Sequence, residues 1–309
     1  MSAAPTATTI TPAIQLSKLT KQYAGTQKPA LRNVSLTVQR GEVYGFLGPN
    51  GAGKSTTIRC LLNFIQPTSG SATILGKDSV DDSLAIRRNL GYLAGDVSLY
   101  KRMTGQQFLS YMIALQPLKH PGHLRELTRD FRAELSKPID TLSKGNRQKI
   151  GLMQAFMHEP DILILDEPTS GLDPLMQEVF FAQIASAKAR GASVFVSSHY
   201  LPEVRRICDR IGFIREGELV AEQSISELAT SASHTFDITF SEAIPHSDFT
   251  RFKNLRVTAS HDPRHITVEV RGDLMPFFRA LARHRVIQFD QRAVNLEEEF
   301  MRLYGKEDK

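Results

Sequence analysis

The chain has 309 residues, 41% hydrophobic and 23% charged, with a formal net charge of +5. That is enough apolar material for one large α/β domain and a smaller companion, and it excludes a chain disordered throughout. Two cysteines, Cys60 and Cys208, both expected inside helices, are too few for a disulfide framework or a metal cluster, and no apolar run approaches the ~18 residues of a membrane span.

Residues 1–12 form a polar, Thr/Ala-rich tail that reads as disordered and lacks the basic and apolar blocks of a secretory signal, so a cytosolic location is expected. Alternation at Ile14-Gln15-Leu16 and across Val34–Val38 predicts strands of a small antiparallel layer. Val43–Leu47 reads as a short buried strand, and Ser55 to Phe64 as a helix. Between them, Gly48-Pro49-Asn50-Gly51-Ala52-Gly53-Lys54-Ser55-Thr56 fits G-x-x-x-x-G-K-[ST]. Such a loop wraps backbone N–H groups around a polyphosphate, which needs glycines, and the helix behind it turns its positive end toward the anion. Asn50, Gly51, Ala52, Gly53 and Thr56 are expected to line the phosphates. Lys54 would reach the β- and γ-phosphates, and Ser55 would ligate Mg²⁺.

From Ser98 to about His158 the pattern turns helical, with Thr104–Leu115 and Leu124–Leu135 separated by Pro117, Pro121 and Gly122. Asn146–Met157 reads as a further helix, with Ser143 and Gly145 at the end that favours an anion. The α/β pattern resumes at Asp161: apolar strands Ile162–Leu165 and Val194–Val196 flank a helix at about Leu175 to Lys188. Uninterrupted apolar strands argue for a parallel sheet covered on both faces. Asp166 and Glu167 end the first of these strands, where a Mg²⁺ site is expected, and His199 follows the second.

At Thr230-Ser231-Ala232-Ser233 the composition shifts, placing a domain boundary near 230. Beyond it, strands at Phe236–Phe240, Leu255–Ser260, His265–Val270 and Val286–Asp290 and helices at Asp273–His284 and Leu296–Tyr304 make a small α+β accessory domain. His234, His246, His261, His265 and His284 lack metal-site spacing. Residues 231–309 carry as many acidic as basic side chains, and no basic block is interleaved with aromatics, so nucleic acid is not the expected partner.

The order of these segments resembles the ATP-binding cassette (ABC) ATPases over residues 14 to about 225. The phosphate loop is followed by Leu142-Ser143-Lys144-Gly145-Asn146, then Asp166-Glu167-Pro168-Thr169-Ser170-Gly171-Leu172-Asp173, then His199. The resemblance implies a P-loop NTPase fold whose Asp166 helps hold Mg²⁺, whose Glu167 polarises the attacking water and whose His199 contacts the γ-phosphate. Ser143 and Gly145 would bind the γ-phosphate of a second cassette in a dimer of identical or paralogous subunits, with Asp173 in the loop crossing that interface. Tyr23 occupies the place of an adenine-stacking aromatic, though a lone tyrosine is often simply packed. The chain departs from the family pattern at Lys144 and Asn146, where the usual signature has glycine and glutamine, and at Gly95, where the family has a metal-coordinating glutamine. Asp96 beside it reads equally as a metal or water contact and as a solvated loop acid. These departures, and the tail Asn295-Leu296-Glu297-Glu298-Glu299-Phe300, resemble a branch of bacterial drug exporters. The implied role is the ATPase subunit on the cytoplasmic face of a membrane, docking through its helical insertion on a separate permease. The competing readings are a soluble ATPase acting on nucleic acid or the ribosome, and a regulatory cassette that does not hydrolyse ATP.

Overall fold

The computed structural model describes residues 11–292 apart from positions 232, 246, 251, 253, 260 and 261. Most of the polar tail, the helix expected at 296–304, and His246 and His261 lie outside the described residues. The chain divides into two compact units, Met1–Gln223 and Ser224–Lys309.

The first unit opens with strands β1 (Ile14–Lys21), β2 (Leu31–Val38) and β3 (Val43–Leu47), followed by helix α1 (Lys54–Leu61). Next come β4 (Ser69–Ile74), β5 (Lys77–Asp78), α2 (Ser83–Arg87) and β6 (Leu90–Leu93). The helical region holds α3 (Gly105–Leu115), α4 (Pro121–Phe131), a 3₁₀ turn at Ile139–Thr141 and α5 (Lys144–Phe156). Then β7 (Ile162–Asp166), α6 (Pro174–Ala189), β8 (Ser193–Ser198), α7 (Leu201–Ile207), β9 (Arg210–Arg215) and β10 (Glu218–Ser224) complete it. Local chemistry sets the helix starts. Thr104 and Gln107 form a reciprocal capping box on α3, Pro121 begins α4, and Ser143 and Asp173 cap α5 and α6 through the backbone N–H groups of Asn146 and Met176. Cys208, expected inside a helix, instead sits one residue past α7 in an extended conformation.

Two sheets stack in this unit, an antiparallel one ordered β2-β1-β4-β5 and a six-stranded one ordered β10-β9-β3-β8-β7-β6. Every residue of β3, β7 and β8 is buried. Ile162, Ile164, Phe195, Tyr44 and Phe46 share one core with α1 and the antiparallel sheet, leaving Leu163, Leu165, Val194 and Val196 to the opposite face. This is why these strands show no alternation of polarity. Burial contributes about 1.5–3 kcal/mol per large apolar side chain, and Tyr44 stacks on Phe195 at 5.8 Å. Among the described residues no helix is long and apolar enough to cross a membrane.

The second unit contains α8 (Ile225–Ser231), β11 (Ser233–Phe240), α9 (Ser247–Thr250), β12 (Leu255–Ala259), β13 (His265–Arg271), α10 (Met275–Leu281) and β14 (Val286–Gln291). Its antiparallel sheet runs β12-β13-β11-β14, with Phe236, Ile238, Phe240, Ile266, Val268 and Val270 packed on Phe249 and Phe277. Of its described histidines, His265 lies beside Asp237 and His284 beside Asp248 and Phe240. No group of three metal-ligating side chains occurs among the described residues.

Candidate functional site at the carboxyl ends of the parallel strands

Parallel register assembles the site. Leu47 pairs with Ser198, Asp166 with Ser197 and Leu93 with Leu165, so the segments leaving β3, β6, β7 and β8 emerge along one edge. That edge is where open α/β sheets bind ligands. A cavity of about 440 Å³ opens there, lined by Asn50 and Ser55 from the phosphate loop, Asp166 at the end of β7 and Glu167 just past it, Asp96 and His199. A larger, open groove of about 780 Å³ crosses the antiparallel sheet. Its only arginine, Arg210, is already placed 3.4 Å from Glu42 and 3.3 Å from Glu222, and it has no helix N-terminus on its wall.

In the phosphate loop, Gly51 (φ +82°) and Gly53 (φ +114°) adopt backbone that L side chains avoid. Gly53 starts α1 without any side-chain cap, so the orphan N–H groups of its first turn, at Lys54, Ser55 and Thr56, are left for an anion. Lys54 is nearly buried. Its Nζ donates to the carbonyls of Gly48 (2.7 Å) and Pro49 (3.2 Å) and lies 3.3 Å from Glu167 Oε1. Tyr23 stands beside the first turn of α1, exposed, its hydroxyl 3.5 Å from Thr56 Oγ1 and its ring under Lys21 Nζ.

The acid pair is held differently at its two members. Asp166 is buried, and Ser197 Oγ donates to its Oδ1. Glu167 has φ +49°, a left-handed conformation, with its N–H donated to the carbonyl of Ser197 at 3.1 Å. Its Oε2 lies 2.7 Å from His199 Nδ1; a carboxylate accepts only, so Nδ1 carries the proton between them. Glu167 is thereby drawn between a lysine and a histidine.

Gly95, at the place of the family glutamine, makes a close approach: a Cβ there would stand 3.1 Å from Asp166 Oδ2 and 3.2 Å from its Cγ. Asp96 lies on the cavity wall next to it. The structure does not bring Ser143 or Gly145 into this cavity; they lie at the start of α5, where a Cβ on Gly145 would meet Gly171 O at 2.6 Å. The Asn146 side chain is engaged inside the chain, accepting from Glu134 N (2.8 Å) and donating to Glu134 O (2.9 Å). Asp173 caps α6.

Several contributors were not read from the sequence. Arg59 and Tyr92 line the cavity, and burial together with the Asp166 charge pushes the Tyr92 hydroxyl up to about 12. Ser197 sits in a fully buried strand, where no alternation marks its direction. Glu203 is buried behind His199. Its Oε2 accepts from Ser198 Oγ at 3.0 Å, and burial holds its carboxyl above the usual range, opposed by the hydroxyls of Thr169 and Ser198. Nothing in a helical pattern separates such a buried carboxyl from one on a solvated face.

A family model described as ABC transporter matches residues 31–170. The ABC transporter ATP-binding protein NatA of Bacillus subtilis is 34% identical over 226 residues, which cover 71% of this chain and 92% of that protein. The bacitracin transport ATP-binding protein BcrA of Bacillus licheniformis is 36% identical over 212 residues, 68% of this chain and 69% of that one. The probable multidrug ABC transporter ATP-binding protein YbhF of Escherichia coli is 37% identical over 72% of this chain, which spans only 39% of its length. Among solved structures, an ATP binding subunit of an ABC transporter aligns with a TM-score of 0.65 and 31% identity, covering 70% of this chain and 91% of that one. The dimeric structure of MJ0796, a bacterial ABC transporter cassette, aligns at 0.62 and 25%, covering 69% and 98%.

Proposed function

The chain belongs to the ATP-binding proteins of the ABC transporter family, and from that premise we propose that it binds and hydrolyses ATP to drive a separate membrane permease. The observation that carries this reading is Glu167, held between Lys54 and His199 on the wall of a cavity that also presents an uncapped helix N-terminus.

In the reaction, the phosphate loop amides and Lys54 take the β- and γ-phosphates, and His199 turns its other ring nitrogen to the γ-phosphate. Lys54 then exchanges the carbonyls of Gly48 and Pro49 for phosphate oxygens and releases Glu167. The freed carboxylate accepts a proton from the water that attacks phosphorus as the bond to the leaving oxygen breaks. A positioned base of this kind contributes roughly 10²–10⁴-fold. Ser55 and Asp166 suit Mg²⁺: both line the cavity, and Ser197 holds one oxygen of Asp166, leaving the other beside Gly95. An ion held there by Ser55 and Asp166 would supply positive charge against the phosphate oxygens. Asp96, on the cavity wall, would contact the metal or a water there, and Tyr23 would stack on the adenine ring.

Two chains, or this chain and a paralogue, would pair so that Ser143 and Gly145 of one cap the γ-phosphate held by the other, as head-to-tail cassettes do. The helical region would meet the permease at the cytoplasmic face of the membrane. Likeness to proteins named for bacitracin and multidrug transport supports export of a drug-like or hydrophobic compound. The Glu167→Gln variant tests the chemistry. It is expected to bind Mg·ATP and dimerise while its turnover falls at least ~100-fold; undiminished hydrolysis would remove Glu167 from the role. Affinity purification from membranes tests the partner, a multi-span protein being expected and ribosomes or nucleic acid alone refuting it.

A further inference from the structure

A left-handed glutamate persists only where its surroundings over-determine it. On the amino side of Glu167 this is done by the Ser197 carbonyl. On the carboxyl side it is done by Gln148, a side chain 2% exposed, in the second turn of α5. Gln148 Nε2 donates to Pro168 O at 2.8 Å and lies 3.4 Å from Glu167 O, which also accepts from Ser170 N at 3.1 Å. Two further contacts seat the same loop on the same helix. Lys144 Nζ donates to Ser170 Oγ at 3.0 Å, and Gly145 abuts Gly171 O closely enough to exclude a Cβ. The segment following Glu167 thus rests at three points on the first two turns of α5, whose cap is Ser143.

We propose that Gln148 is a positioning residue that fixes the backbone of Glu167 to α5, so that the placement of Ser143 at the tip of that helix and the aim of the carboxylate at its own nucleotide are set together. The proposal rests on the reading of Glu167 as the residue that activates water. A carboxamide suits the task because its donors are planar and rigidly placed, and it reaches two successive carbonyls from one atom. From Ser143 to Gln148 the helix is a stiff lever of about 7.5 Å. Without the donor, Pro168 O loses its Gln148 partner and Glu167 O is held by Ser170 N alone, and the carboxylate leaves the position defined by Lys54 and His199. A misplacement of about 1 Å in such a site costs about 10²-fold in rate.

The test uses the full chain with Gln148→Met, which keeps the volume and removes the donor, and Gln148→Glu, which puts an acceptor against the same carbonyls. Rates at saturating Mg·ATP are normalised to the stoichiometry of a fluorescent ATP analogue, so that only folded, binding-competent protein is counted. Expected is a fall in kcat of about 10–100-fold with nucleotide affinity held within about threefold. Amide exchange at Ser170 is expected to quicken at least fivefold while the interior of α5, at Leu152, keeps its protection. The proposal is overturned if either variant keeps wild-type kcat while Glu167→Gln is inactive, or if affinity and kcat fall together. Full turnover by Glu167→Gln would instead remove the reading of Glu167 on which the proposal stands.

Discussion

Replacing Gly95 by alanine tests whether the absence of a side chain there is dictated by Asp166. The added Cβ would meet Asp166 Oδ2 at 3.1 Å and Cγ at 3.2 Å, tighter than ordinary van der Waals contact. The carboxylate cannot simply swing aside, because Ser197 donates to its other oxygen and the residue is buried. Either the Ser197 bond stretches or the Gly95 loop moves out by a few tenths of an ångström. Overpacking of this kind costs about 1–3 kcal/mol. If all of it is drawn from metal and nucleotide binding, affinity weakens roughly 5- to 150-fold, at ~1.4 kcal/mol per tenfold. The assay is Mg²⁺ titration of the ATPase rate at saturating ATP, with thermal unfolding of the same protein as a measure of how much of the cost falls on the fold. Gly95→Gln, which restores the family residue, is expected to be at least as impaired. A Gly95→Ala variant with both Mg²⁺ dependence and melting temperature unchanged would refute the argument, showing that the loop yields and that Asp166 does not exclude a side chain.

Lys54→Met removes the ammonium that would move from Glu167, 3.3 Å away, to the phosphates, and a charged contact to phosphate is worth about 1.5–3 kcal/mol, so a fluorescent ATP analogue should bind ~10- to 150-fold more weakly; unchanged binding would take Lys54 out of the site. Asn146→Ala breaks two hydrogen bonds to the Glu134 backbone, at about 0.5–1.5 kcal/mol each, and should quicken amide exchange at Glu134 while leaving binding to the isolated chain within twofold. Unaltered exchange there would show that the clamp is not formed in solution. His158 is held neutral: burial lowers its pKa from 6.5, the Lys119 charge adds to this, and its bond with Leu90 O opposes it. A depressed histidine contributes stability that is complete above pH 6.5 and is lost as pH falls below it, because the unfolded chain takes up the proton first. His158→Gln should therefore flatten the decline in denaturant stability between pH 7 and 5, and an identical decline in both proteins would count against it.

Much of this was legible from local pattern. The phosphate loop, its flanking strand and helix, Asp166-Glu167 and His199 each carry their chemistry in consecutive residues, so a few positions declare them. The strand β3 coincides with the expected Val43–Leu47, and the helix expected at Leu175–Lys188 extends only to Pro174–Ala189. Elements with mixed composition were not foreseen. β4 carries Ser69, Gly70 and Ser71, and β10 has its apolar residues Leu219, Val220 and Ala221 consecutive between Glu218 and Glu222, so neither shows a strand's apolar period. The helix expected at Leu124–Leu135 begins earlier, at Pro121, because proline is tolerated at a helix start, and ends at Phe131, where Arg132 turns left-handed.

Sequence alone determined which groups meet at the cavity: glycines that permit a phosphate loop, a lysine, two carboxylates and a histidine are chemical types whose spacing survives without any knowledge of contacts. It did not determine their aim. Parallel register sets Asp166 beside Ser197 and sends four loops to one edge, and only the packed sheet decides that Gly95 crowds Asp166, that Gln148 holds the carbonyls after Glu167, and that Asn146 is spent on Glu134. Those are contacts between residues 12 to 71 positions apart. No local periodicity encodes such pairings, because they exist only once the burial of β3, β7 and β8 has brought distant segments within a few ångströms of one another.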